Sequence, residues 1–315
     1  MRIVQIEPIG INPEDWKKAE MNFKNAGHQL IRYDHKPQNE EELIERAKDA
    51  QVLILSNLPL SSNVISHCPD LKMISVAFAG VDHIAMDICN EKGIVVSNAA
   101  GYSNHSVAEL TIGSAINIYR KILWSDQQTR NLSDRQGFLG AELHGKTFGI
   151  VGTGQIGTQV ARLANAFGCK VLAYNRSSKN IPNVEFANLD YLLKNSDIVS
   201  IHVPLTQETK HLIGKSEMKL MKKTAVLINT ARGPVVDYHA LAAALKNNSI
   251  SGAAIDVYEK EPPLDNGHPL FEVPNTLLLP HIGYATKEAI QLRGEIVMDN
   301  IIRWAEGKPQ NIMNK

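Results

Sequence analysis

Cysteine is scarce in this 315-residue chain: Cys68, Cys89 and Cys169 are the three present, far apart, with no C-x-x-C pair and no histidines at zinc-ligand spacing. That pattern argues against a disulfide framework and against a metal site. Neither sign of charge is in surplus, 33 Lys and Arg standing against 33 Asp and Glu. No general field therefore draws the chain to nucleic acid or an anionic membrane, and any anion binding must be local. No apolar run is long enough to cross a bilayer. The opening MRIVQIEPIG enters a strand-like run without the basic, apolar and small-residue regions of a secretory leader. Repeats and low-complexity segments are also missing. The expectation is a cytoplasmic protein with no nucleic-acid and no membrane partner.

The length is enough for two domains, each with its own core. Over the first hundred residues, short apolar runs (2–6, 52–55, 73–76, 94–96) alternate with helical patterns such as 13–26. That alternation predicts an open parallel sheet with helices on its faces. Residues 104–123 read as one long helix whose apolar Val107, Leu110, Ile112, Ile116 and Ile118 spread over more than one face. A helix apolar nearly all round is expected to be buried between bodies of protein, here at a domain junction. A second βα series starts at Thr147 and runs to His281, and one more long helix, 287–304, is expected to cross back to the first domain. Because the apolar strand 147–151 opens on a G-x-G-x-x-G turn at 152–157, the predicted fold class is α/β: a Rossmann dinucleotide-binding domain plus a second, flavodoxin-like α/β substrate domain, with the active site in the cleft between them. The expected boundaries are 1–100 with 284–315 for the substrate domain and 101–283 for the NAD(P)-binding domain.

The apolar strand TFGIV runs directly into Gly152-Thr153-Gly154-Gln155-Ile156-Gly157 and a helical pattern, the context a dinucleotide fingerprint requires. Gly152 makes the tight turn, Gly154 leaves room for the pyrophosphate, and Gly157 lets helix and strand pack closely, with the helix N-terminus facing the phosphates. About twenty residues further on, where an NAD site usually has a carboxylate for the ribose hydroxyls, this sequence has Asn175, followed by Arg176, Ser177, Ser178 and Lys179. Such a loop suits a 2'-phosphate and lacks the carboxylate that would repel it. NADP(H) is therefore expected over NAD(H).

Three later loops each follow a strand of the same sheet, where open α/β sheets place their ligands: Asn229-Thr230-Ala231-Arg232-Gly233-Pro234, the stretch from Asp256 to Pro263, and Leu279-Pro280-His281-Ile282-Gly283. They offer an Arg, a Glu and a His to one crevice. Reducing a 2-keto acid needs such a set: a cation for the substrate carboxylate, a proton donor for the carbonyl oxygen and a carboxylate to tune that donor. Ala79-Gly80-Val81 also follows an apolar strand, and its glycine can expose consecutive backbone N–H groups to an anion.

With those blocks, and with Phe78-Ala79-Gly80-Val81-Asp82 and Asn104-His105-Ser106-Val107-Ala108-Glu109, the chain resembles the D-isomer-specific 2-hydroxyacid dehydrogenase family over essentially its whole length. The resemblance implies catalytic roles for Arg232 (substrate carboxylate and keto oxygen), Glu261 (hydrogen-bonded to the histidine) and His281 (acid/base). It also implies that Ala79, Gly80 and Val81 hold the substrate carboxylate, that Asp256 meets the nicotinamide carboxamide and that Pro204 lies at the adenine. The full set of expected cofactor contacts is Gly152, Gly154, Gln155, Ile156, Gly157, Asn175, Arg176, Ser177, Val203, Pro204, Thr230, Ala231, Asp256, His281 and Gly283. The expected activity is reduction of a small 2-keto acid such as glyoxylate or hydroxypyruvate by an oxidoreductase acting on CH–OH groups. A homodimer is implied as well, through the helix 104–123 and the polar stretch 125–140. A phosphoglycerate dehydrogenase-like enzyme is the alternative within the family, disfavoured because the loop Ser56-Asn57-Leu58-Pro59-Leu60 carries no cation for a phosphate. A non-catalytic nucleotide-sensing binding protein of the same fold is the alternative outside enzymes.

Overall fold

The computed structural model describes residues 1–177, 179–260 and 263–314. In chain order the first elements are β1 (Arg2–Gln5), α1 (Pro13–Asn25), β2 (Gln29–Arg32), α2 (Glu40–Ala47), β3 (Val52–Leu55), α3 (Ser62–Ser66), β4 (Met73–Val76), α4 (Met86–Glu91) and β5 (Val95–Asn98). There follow α5 (Asn104–Arg120), α6 (Ile122–Arg130), β6 (Thr147–Val151), α7 (Gln155–Ala166), β7 (Lys170–Tyr174), β8 (Val184–Phe186), α8 (Leu189–Asn195), β9 (Ile198–Ile201), α9 (Lys215–Leu220) and β10 (Val226–Asn229). After a short 3₁₀ turn at Gly233–Val235 come α10 (Tyr238–Lys246), β11 (Gly252–Ile255), β12 (Thr276–Leu278) and α11 (Lys287–Ala305). Two compact units result, Met1–Ser103 with Thr286–Lys315, and Asn104–Ala285. The boundaries expected from sequence, 100/101 and 283/284, lie within three residues of these.

In the first unit five parallel strands lie in the order β2-β1-β3-β4-β5, the doubly wound flavodoxin-like order. α1 illustrates how the sequence sets a helix. The Asn12 side chain accepts from the Asp15 N–H, Pro13 opens the first turn with Glu14 and Asp15 behind it, and Lys24 closes the last turn. Trp16, Ala19 and Phe23, three and four residues apart, form its buried stripe. α11 returns to this unit and packs on β4, where the Ser75 hydroxyl donates to the Val297 carbonyl at 3.1 Å. The tail beyond α11 covers the β5 edge: Met313 N–H donates to Val96 O at 2.8 Å and Asn98 N–H to Asn311 O at 3.1 Å. An otherwise open sheet edge is thereby paired.

The second unit holds seven parallel strands in the order β12-β11-β10-β9-β6-β7-β8. This is the Rossmann order with one added strand, and its direction reverses between β6 and β9. Both faces are covered, which explains strands that read as unbroken apolar runs. Val151, Val199, Leu227 and Ile255 face one core, and Phe148, Ile150, Ile198 and Ile228 face the other.

One expectation is corrected. Residues 104–123 do not form one helix: Lys121 takes a left-handed conformation (φ 46°) that ends α5 and starts α6. Its ammonium lies 4.9 Å from the centre of the Phe138 ring and 5.9 Å from that of Trp124. Of the buried residues of α5, Ala108, Ile112, Ala115 and Ile118 belong to a core inside the second unit, together with Phe148 and Ile150. No helix among the described residues is long and apolar enough to cross a membrane.

Candidate active site

Gly152 follows β6 with φ +97°, and a Cβ there would stand 2.6 Å from the His202 carbonyl oxygen. At Gly157 a Cβ would stand 2.0 Å from the Gly152 carbonyl oxygen, so both glycines are required by close backbone approach. Gly154 opens α7 without a side-chain cap, and a Cβ there would meet nothing within 4 Å. The twelve-residue helix thus presents its N-terminus to open space at the strand-order reversal. These features fit a dinucleotide pyrophosphate. Gln155 Oε1 accepts from Asn104 Nδ2 at 2.8 Å, and Ile156 is half-buried beside the core.

His202 follows β9 and its backbone lies against this turn. Its Nε2 lies 2.9 Å from Ser200 Oγ, and although the residue is half-buried overall its ring is enclosed by protein, which pushes the imidazole down to about 3 from 6.5. Since the unfolded chain binds this proton more readily, stability contributed by neutral His202 is present above about pH 6.5 and is lost as pH falls toward about 3. His202→Gln should show a shallower loss of urea midpoint between pH 7 and pH 5 than the parent. Identical slopes would contradict a buried neutral imidazole.

Past β7, the Asn175 side chain braces the glycine turn, accepting from Thr153 N–H at 3.2 Å and donating to Ser177 O at 2.8 Å and Ser177 Oγ at 3.0 Å. Lys179 Nζ donates to Thr153 O at 2.6 Å, and the exposed Arg176 pairs with Glu208 at 3.2 Å. Ser178 lies outside the described residues. Val203 packs on the core and Pro204 is exposed, its carbonyl accepting from Thr209 Oγ1 at 2.6 Å.

Because β10, β11 and β12 are neighbours, the loops beyond them lie side by side, and buried polar groups tie them together. Fully buried Asn229 folds its own turn: Nδ2 donates to Arg232 O at 2.9 Å and to Tyr238 Oη at 3.0 Å, while Oδ1 accepts from Ala231 N–H at 3.1 Å. Tyr238 Oη donates in turn to Val257 O at 2.5 Å, joining the β10 and β11 loops, and burial holds its phenol far above the ordinary tyrosine range. Gly233 closes the same join, since a Cβ there would lie 2.0 Å from the Tyr258 carbonyl carbon. Thr230 Oγ1 stands 3.3 Å from Thr111 Oγ1 of α5. Asp256, 1% exposed, joins the β11 and β12 loops, accepting from Ile282 N–H and Gly283 N–H at 2.8 Å each. His281, the residue before these two amides, has φ +55° and meets the Tyr284 ring edge-on at 5.4 Å. Arg232 is half-buried and extended (φ −147°), and its Nη1 donates to Ala231 O at 2.8 Å. Glu261 lies outside the described residues. Sequence reasoning missed the bracing by Asn229 and Tyr238, and it gave Asp256 no part in shaping the His281 turn. Both depend on contacts between strand ends that only the sheet order creates.

In the first unit Ala79-Gly80-Val81 follows β4, and among the described residues no protein group accepts from the N–H of Gly80 or Val81. The neighbouring loop after β3 differs from expectation. Lys36 Nζ stands 3.5 Å from Asn57 Oδ1, so a cation absent from the loop's own sequence is supplied from beyond β2. Lys36 also lies 3.7 Å from Glu7 Oε2, whose buried carboxylate accepts from Ser56 N–H at 2.8 Å and Leu58 N–H at 2.9 Å. The added charge is therefore answered locally. No group of three or more His, Cys, Asp or Glu among the described residues is arranged to hold a metal.

A nucleotide cradle past β6 and a braced Arg and His past β10 and β12 of one Rossmann sheet define a nicotinamide-dependent oxidoreductase as the class. The comparisons agree. Residues 112–283 match the model of the D-isomer specific 2-hydroxyacid dehydrogenase, NAD binding domain. A glyoxylate reductase of Thermofilum pendens is 43% identical over 292 residues, covering 89% of this chain and 86% of that one. A D-3-phosphoglycerate dehydrogenase of Methanocaldococcus jannaschii is 41% identical over 285 residues, covering 87% of this chain and 53% of that longer protein. The solved structure of an acyclic imino acid reductase in complex with NADPH and D-Arg superposes with a TM-score of 0.92 at 31% identity, covering 99% of this chain and 100% of that one. The chain belongs to the D-isomer specific 2-hydroxyacid dehydrogenase family, and it is accordingly an oxidoreductase acting on CH–OH groups.

Proposed function

We propose that this chain reduces a small, unphosphorylated 2-keto acid such as glyoxylate or hydroxypyruvate to its 2-hydroxy acid, with NADPH preferred over NADH. The observation that carries the reading is the set of loops past β10, β11 and β12, braced through Asn229, Tyr238 and Asp256, with Arg232 and His281 past the two strands that flank β11. Bound reduced nicotinamide supplies the hydride. Arg232 directs its guanidinium at the substrate carboxylate and keto oxygen. The Gly80 and Val81 amides hold the same carboxylate. His281 gives its proton to the carbonyl oxygen as charge develops there, with Glu261 as its hydrogen-bonding carboxylate. Asp256 holds the 281–283 turn and offers its remaining lone pairs to the carboxamide.

The preference for NADPH is supported by the missing carboxylate at Asn175 and by Arg176, Ser177 and Lys179 around the end of β7. The Arg176–Glu208 pair is exposed, so it holds the guanidinium weakly against a phosphate. Balanced charge at Lys36 and Glu7 supports an unphosphorylated substrate. Leu123, Leu132 and Leu139, on and just beyond α6, are each exposed apolar side chains in the stretch proposed as a homodimer contact. Cys68, Cys89 and Cys169 are buried free thiols, with burial pushing Cys68 and Cys89 up to about 11, as suits a reducing cytoplasm.

The test is a spectrophotometric screen of 2-keto acids with both reduced coenzymes. Glyoxylate or hydroxypyruvate should turn over, with kcat/KM for NADPH about tenfold or more above that for NADH, the worth of one charge-assisted contact. Equal use of NADH overturns the coenzyme preference. A phosphorylated keto acid outperforming both candidates overturns the substrate class, and no turnover of any keto acid overturns the reaction.

A further inference from the structure

The backbone after β4 is held by a side chain from β5. Asn98, 5% exposed at the last position of β5, donates from Nδ2 to the Ala79 carbonyl at 2.6 Å, while its buried Oδ1 has no partner among the described residues. Among the described residues the side chain thus makes a single hydrogen bond, and that bond goes to the loop. The Ala79 carbonyl and the Gly80 N–H belong to one planar trans peptide, so they point in opposite directions. Fixing the carbonyl toward Asn98 therefore fixes the Gly80 N–H away from it, on the outer side of the loop. Without that hold, a peptide followed by glycine reorients at little cost.

Asn98 is itself gripped by the C-terminal segment. Asn300 Nδ2 donates to Asn98 O at 2.9 Å, Asn311 Nδ2 donates to Asn300 Oδ1 at 2.9 Å, and Asn98 N–H donates to Asn311 O at 3.1 Å. Asn300 is fully buried. Three asparagines thus link α11 and the tail to the peptide that presents the Gly80 amide.

The geometry points to Asn98 as a positioning residue for carboxylate binding, backed by Asn300 and Asn311, an assignment that rests on the reading of Gly80 and Val81 as the substrate-carboxylate site. Asn98→Ala should raise KM for the keto acid about tenfold, the effect of disordering one hydrogen bond to a charged group, with kcat at saturation and NADPH affinity within about twofold of the parent. Asn98→Asp, which sets an acceptor against the Ala79 carbonyl, should raise KM at least as far. Asn311→Ala, at the half-buried end of the link, tests the same chain without opening the core and should raise KM about twofold.

Val81→Pro deletes one of the proposed binding N–H groups outright and serves as the reference. If Val81→Pro raises KM while folded Asn98 and Asn311 variants leave it unchanged, the positioning role is overturned and the carboxylate reading stands. If Val81→Pro itself binds keto acid normally, the carboxylate reading falls and the positioning role falls with it. A loss confined to kcat, or spread equally over coenzyme and substrate binding, also overturns the assignment, because only a general disturbance of the fold acts that way.

Discussion

His281→Ala is expected to lower kcat for keto-acid reduction by about 10²- to 10⁴-fold, the usual contribution of a positioned general acid, while leaving NADPH affinity nearly unchanged. The turn around position 281 is built from backbone: Asp256 accepts from the amides of residues 282 and 283, and neither bond needs the imidazole. Position 281 has φ +55°, a conformation in which histidine and asparagine are enriched. His281→Asn therefore keeps the turn and removes the acid, and it should match His281→Ala in kcat. If either variant keeps more than about a tenth of parental kcat, the proton comes from elsewhere. A large loss of coenzyme affinity in both would instead mark His281 as a support for the cradle.

Arg232→Ala is expected to reduce kcat/KM by about 10²- to 10³-fold, with both a higher KM and a lower kcat, within the 2–5 kcal/mol range for removing one partner of a hydrogen-bonded charge pair. Arg232→Lys should recover only part of this, since an ammonium cannot make two parallel bonds to a carboxylate. The backbone at this position is secured independently, with Asn229 Nδ2 bonded to the Arg232 carbonyl and Gly233 seated on Tyr258. Loss of the guanidinium should accordingly leave the melting temperature within a few degrees of the parent, corresponding to about 1 kcal/mol or less. A variant that melts normally and reduces keto acid at the parental rate would remove Arg232 from the site.

What the sequence disclosed depended on the range of the forces involved. The turn at Gly152 was legible because strand, glycines and helix are consecutive, and the same holds for Arg232 and His281, each just past an apolar strand. The break at Lys121 was not legible, because it arises from a left-handed residue whose ammonium packs on Phe138, a contact outside any helical pattern. β2, β8 and α9 were also missed. β8 has three residues and none is buried, so it carries little alternation to read, and α9 is only six residues long. Within the site, the bonds from Ile282 and Gly283 to Asp256 span 26 and 27 residues, and that from Asn98 to Ala79 spans 19. Such contacts exist only once parallel strands set their loops beside one another. Lys36 reached Asn57 in the same way, over 21 residues, placing a cation where the local sequence has none.

The central claim is that Arg232 and His281, carried past the two strands that flank β11, address one substrate on the nicotinamide. A crystal structure of the enzyme with reduced coenzyme and oxamate tests it most directly. The account predicts the His281 imidazole and the Arg232 guanidinium both within about 2.6–3.2 Å of oxamate oxygens, with the analogue stacked on the nicotinamide. An analogue bound at the coenzyme with His281 turned away from it would contradict the account.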